Sequence, residues 1–100
     1  MKICVAQTRP VKGDLDANIR SHKKFIERAV SVGTDLIVFP ELSITGYEPE
    51  LVKELATTLD DVRFDVFQSI ADADRITIGI GVPILAGNGI RISQVYFQFG

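Results

Sequence analysis

The 100-residue chain is long enough for one small core and no more, and its 46% hydrophobic and 24% charged residues are those of a folded globular chain, not a disordered or collagen-like one. Eleven basic against thirteen acidic residues give a net charge of -2 with no basic cluster, so a nucleic-acid partner has no electrostatic footprint. One cysteine, Cys4, excludes an internal disulfide framework and paired-cysteine zinc sites, and no apolar run is long enough to span a bilayer, so a cytoplasmic protein without membrane contact is expected.

Residues 2–7 (KICVAQ) form a nearly continuous apolar run rich in β-formers, the pattern of a strand covered on both faces. Cys4 lies inside it and reads as a small core side chain, not a nucleophile. After a loop with Pro10 and Gly13, Asp14 or Asp16 can cap a helix whose Leu15, Ile19, Phe25, Ile26, Ala29 and Val30 share one stripe and which ends near Gly33. His22 falls within that stripe and reads as a packed imidazole in preference to a ligand or base, because no Cys, Asp or second His converges on it by spacing. Residues 35–39 (DLIVF) predict a second doubly covered strand, stopped by Pro40, which cannot donate to a sheet ladder.

Pro49 and Glu50 suit the first turn of a second helix carrying Leu51, Val52, Leu55 and Leu59. Asp60 or Asp61 can cap a third with Val62, Val66, Phe67 and Ile70. Residues 76–85 (ITIGIGVPIL) then alternate, Ile78, Ile80, Val82 and Ile84 facing one way and Gly79 and Gly81 the other, so something must pack very close to the glycine face. Val82-Pro83 follows those glycines where a phosphate-binding turn would start a helix, which excludes a dinucleotide-binding reading. The tetrad 86–89 contains Asn-Gly, so residues 90–99 should return antiparallel as a hairpin. Their apolar positions change parity between Ile92 and Val95, which predicts a β-bulge near Ser93 and Gln94. The order βαβααββ gives an α/β (α+β layered) architecture with a mixed sheet. Helices of this chain cover only one sheet face well, so a further layer is expected from chain outside residues 1–100.

The stretch richest in chemistry is residues 39–49, FPELSITGYEP. A carboxylate directly after Pro40 at the carboxyl end of a strand sits where open α/β sheets place ligands and catalytic groups. Two readings of Glu41 stand on position alone, a functional carboxylate or a turn cap paired with a surface lysine.

The run Leu36-Ile37-Val38-Phe39-Pro40-Glu41-Leu42, followed by Thr45-Gly46-Tyr47, resembles the glutamate motif of the nitrilase superfamily, the carbon-nitrogen hydrolases of amides and nitriles. The resemblance extends to Ala6-Gln7 ending the first strand, to Gly13-Asp14 before a helix containing Asn18, to Gly33-Thr34-Asp35, and to the glycine-bearing third strand. It implies that residues 1–100 are the N-terminal part of that family's four-layer α-β-β-α sandwich. It also implies a glutamate general base, a lysine and a cysteine nucleophile that forms a thioester. Only the glutamate has a match here, at Glu41; the lysine and cysteine follow the matched segment in the family. Lys2, Lys12, Lys23, Lys24 and Lys53 read as solvated charges, and Glu48 and Glu50 as helix N-terminal charges. Tyr47 either lines the substrate pocket or packs under the loop. The second hairpin strand carries Ile92-Ser93-Gln94 where the family commonly has an aromatic-Asn-Ser/Thr element, a departure that bears on whether that strand holds the active-site loop.

The implied substrate is a small amide or nitrile, with no metal or organic cofactor, and the complete protein is expected to be a homo-oligomer. The competing reading is a non-catalytic α/β binding or regulatory module that kept the fold and lost the chemistry.

Overall fold

The computed structural model describes residues 1–46 and 52–100. Strand β1 (Ile3–Val5) leads to helix α1 (Leu15–Ser31), strand β2 (Leu36–Val38), the short helix α2 (Val52–Leu55), helix α3 (Asp65–Asp74) and the hairpin β3 (Thr77–Ala86) and β4 (Gly89–Phe97). The four strands form one sheet in the order β1-β2-β3-β4, parallel from β1 to β3 and antiparallel between β3 and β4. Pro49, Glu50 and Leu51, expected to open the second helix, lie outside the described residues, as do Tyr47 and Glu48.

Helix α1 begins where expected. Asp14 accepts a hydrogen bond from the Ala17 amide, satisfying one of the amides that a helix start leaves without an intrahelical partner. Ahead of α3, Asp61 caps a 3-10 turn (Val62–Phe64) by accepting from the Arg63 amide. That tight turn faces Val62 to solvent and gives its expected core place to Phe64, while Leu59, expected on the second helix, lies beyond the end of α2 at Leu55 and is exposed.

Helices α1 and α3 pack on one face of the sheet, where Ile26, Ala29, Phe67 and Ala71 join Ile37, Ile78, Ile80 and Val82 in a single core. Cross-strand register lines up Cys4, Ile37, Ile78 and Phe97 on this face and Val5, Val38, Gly79 and Tyr96 on the other. Cys4 is half-buried and packs against the core, in keeping with its reading as a small core side chain.

Two expectations are corrected. The first strand is not covered on both faces: Ile3 and Val5 are 57% and 79% exposed, because both long helices lie on the Cys4 side. There is no bulge in β4, whose pairing runs unbroken from Ile78↔Phe97 to Ala86↔Gly89. The parity change arises because both sheet faces are apolar: Val95 and Phe97 point to the core, Ile92 and Tyr96 to the opposite face. The hairpin loop is Gly87-Asn88, with positive φ at Gly87 and not at Asn88. A glycine at the first central position suits a type II′ turn, so the Asn-Gly pair marked the hairpin but is offset by one residue from its loop.

Candidate active site

Beyond β2 the chain leaves the sheet and comes back to it. The Phe39 amide donates to the Gly79 carbonyl at 2.8 Å, and the next rung on β3, the Gly81 carbonyl, is taken by the Ile44 amide at 3.1 Å. Two residues of β3 thus span five residues of the other chain segment, and the four between the rungs, Pro40 to Ser43, form a raised turn with Glu41 upon it. The turn closes on itself through Ser43 N–H to Pro40 O and Gly46 N–H to Leu42 O. Leu42 takes a left-handed φ of 55°, a conformation that costs a non-glycine residue about 1–2 kcal/mol and is held here by burial of its side chain.

The glycine face of β3 exists to let this turn down onto the sheet. A Cβ at Gly81 would collide with Pro40 O and Leu42 N and would lie 2.8 Å from the Glu41 carbonyl carbon. At Gly79 the close neighbour is instead the Tyr96 ring, 2.6 Å from where a Cβ would stand.

Buried polar side chains fasten the turn. Gly81 N–H donates to Ser43 Oγ at 3.1 Å, and Ser43 Oγ lies 2.8 Å from His22 Nε2, while His22 Nδ1 lies 2.6 Å from the Asn18 carbonyl. One assignment pairs every donor with an acceptor: Nδ1–H donates to Asn18 O, and Ser43 O–H donates to Nε2. Burial pushes the His22 pKa down from 6.5 to about 4, against the opposing pull of the Asn18 carbonyl, so the ring is neutral at pH 7. It also stacks on Phe39, with centroids 4.1 Å apart. One turn earlier on α1, the Asn18 amide group donates to Val11 O and Ile44 O and accepts from Val11 N–H, tying the loop after β1 to the same turn. From the far strand, Gln94 Nε2 donates to Phe39 O at 3.0 Å. Strand β4 therefore does hold this loop, through Gln94, although its sequence departs from the family element.

Glu41 itself is exposed and lines an open cleft of about 390 Å³ with Thr8, Pro10, Lys12, Pro40, Leu42, Ser43 and Gly46. Lys12, read from the sequence as a solvated charge, borders the same cleft. The arrangement presents one exposed carboxylate on a turn whose backbone is held from beneath, at the carboxyl end of a parallel strand. His22 sits under it as a packed imidazole, as its place in the helical stripe predicts. Ser43 and Gln94 were not singled out as supports by the sequence; the signal that pointed towards them was the glycine face of β3.

Residues 2–98 match the family described as carbon-nitrogen hydrolase. A glutamine-dependent NAD(+) synthetase of Acinetobacter baylyi is 41% identical over 93 residues, covering 93% of this chain and 17% of its own length. A nitrilase of Pyrococcus abyssi is 28% identical over 104 residues, 98% of this chain and 37% of its own. Among solved structures, Saccharomyces cerevisiae Nit3, a member of branch 10 of the nitrilase superfamily, superposes with a TM-score of 0.84 at 21% identity, over 98% of this chain and 40% of Nit3. The chain thus spans well under half the length of each of these relatives.

Proposed function

The chain belongs to the carbon-nitrogen hydrolase family, and from that premise we propose that the complete protein hydrolyses a small amide with Glu41 as its general base. The observation that carries this reading is the placement of Glu41: an exposed residue on a turn held by the buried Gly81–Ser43 hydrogen bond and the partly buried Gln94–Phe39 bond, opening on a cleft. A merely structural turn residue has no need of that support. The Acinetobacter relative is named as glutamine-dependent, and glutamine carries a primary amide, which favours an amide over a nitrile.

In this reading the cysteine and lysine of the family follow residues 1–100, and the cleft is closed over by the parts of the fold that carry them. Glu41 takes the proton of the cysteine thiol as sulfur attacks the amide carbon, since a free thiol is mostly protonated at neutral pH. The lysine stabilises the negative charge that develops on the substrate oxygen. The carbon-nitrogen bond breaks as Glu41 returns the proton to the departing amine, leaving a thioester. Water then attacks the thioester while Glu41 accepts its proton, and the carboxylic acid leaves as the thiol is restored.

The isosteric change Glu41→Gln in the complete protein keeps the shape and removes proton acceptance. Turnover should fall by about a hundredfold or more, the scale of a positioned acid-base group, with the thermal midpoint unchanged. Near-normal amide hydrolysis by this variant, or a loss that follows unfolding, would return Glu41 to the structural turn residues.

A further inference from the structure

Beneath the carboxylate lies a buried chain of polar groups that the reaction itself does not use: Asn18 O, the His22 ring, Ser43 Oγ and Gly81 N–H, linked at 2.6, 2.8 and 3.1 Å. His22 and Ser43 are each 1% exposed; His22 is not among the residues lining the cleft, and Ser43 borders it with its hydroxyl engaged by His22 Nε2 and Gly81 N–H. Burying an imidazole and a hydroxyl is unfavourable unless every polar atom is satisfied, and here His22 Nδ1 is satisfied within its own helix while Nε2 and the Ser43 hydroxyl are satisfied across elements. His22 comes from α1, Ser43 from the Glu41 turn and Gly81 from β3. Ser43 is two residues from Glu41, with the left-handed Leu42 between them.

On the reading of Glu41 as general base, we infer that His22 is a positioning residue for this carboxylate, acting through the Ser43 hydroxyl to fix the height and rotation of the turn. The neutral imidazole is suited to this. Its Nε2 can only accept, so it orients the Ser43 hydroxyl hydrogen towards α1 and leaves the Ser43 lone pairs for Gly81 N–H. The Phe39 ring, stacked on the imidazole, limits its rotation and so fixes where Nε2 stands. A leucine at position 22 would fill the space but leave the hydroxyl without its acceptor. A glutamine could place its amide oxygen near the site of Nε2 and accept the same bond.

The test uses the complete protein with a small amide substrate and compares His22→Leu, His22→Gln, Ser43→Ala and Glu41→Gln. His22→Leu and Ser43→Ala should lower kcat by about tenfold or more with KM changed by less than about twofold, since a small misplacement of a catalytic group slows chemistry without loosening binding. His22→Gln should stay within about threefold of the parent, because it restores the acceptor. On the Glu41→Gln background, His22→Leu should cause no further loss, as residues acting through one another are non-additive. Equal losses in the Leu and Gln variants, or losses that multiply with Glu41→Gln, would overturn the positioning role. Should His22→Leu fail to fold, Ser43→Ala and His22→Gln carry the same comparison. If Glu41→Gln abolishes turnover while the His22 and Ser43 variants keep it, this inference alone fails. If Glu41→Gln is active, the general-base reading fails first.

Discussion

Desolvation decides the behaviour of His22. Its folded-state pKa of about 4 lies below the ordinary 6.5, so between those values the unfolded chain binds a proton that the folded chain refuses. Stability contributed by this residue is therefore complete above about pH 6.5, falls as the pH drops towards 4, and falls no further below that. At 1.36 kcal/mol per pKa unit the ceiling is about 3 kcal/mol. Urea midpoints of the parent and of His22→Gln, followed from neutral pH down to about pH 4, should show a steeper decline in the parent. Parallel curves would mean that the ring is protonated in place without loss. That His22 would be packed was legible from its place among Leu15, Ile19 and Ile26. Its hydroxyl partner was not, because the Ser43 hydroxyl gains its role from a backbone amide 38 residues further along the chain. The turn that carries Glu41 was legible for the opposite reason: Phe39, Pro40 and Leu42 adjoin it in one continuous run.

Strand β3 makes a sharper distinction between its two glycines than their sequence does. At Gly79 an added methyl meets the ring of Tyr96, a half-exposed side chain able to swing aside. At Gly81 it meets the backbone of the Glu41 turn, which three elements hold in place. Gly81→Ala should lift the turn, destabilise the fold by about 1–3 kcal/mol and remove most of the activity, while Gly79→Ala should lose little of either. Thermal unfolding and amide hydrolysis of the two variants check this, and equal behaviour would show that the turn yields as easily as a side chain. The alternation of residues 76–85 correctly announced a close neighbour on the glycine face. The same style of reading failed on β4, where apolar residues on alternate parities were assigned to a bulge. Parity identifies a face only when the other face is polar, and Ile92 and Tyr96 occupy an opposite face that is apolar too.

The sheet as a whole leaves that second face uncovered around Ile3, Val5, Ile92 and Tyr96, each about half exposed or more. An apolar sheet face in water invites association. Residues 1–100 expressed alone should aggregate or bind a hydrophobic dye, and a monodisperse, cooperatively unfolding monomer would contradict this. The unbroken apolar runs of the first two strands showed that both sheet faces carry apolar side chains, whereas which face is left exposed in residues 1–100 depended on where α1 and α3 pack. The supports of the Glu41 turn also impose an order of events on folding. Ser43 meets Gly81 across 38 residues, and Phe39 meets Gln94 across 55. Neither bond can form until the β3–β4 hairpin has docked beside β2, and closing such long loops is slow compared with forming a helix or a hairpin. During synthesis Glu41 leaves the ribosome before its supports, and its turn is fully fastened only after more than fifty further residues have emerged and found their places.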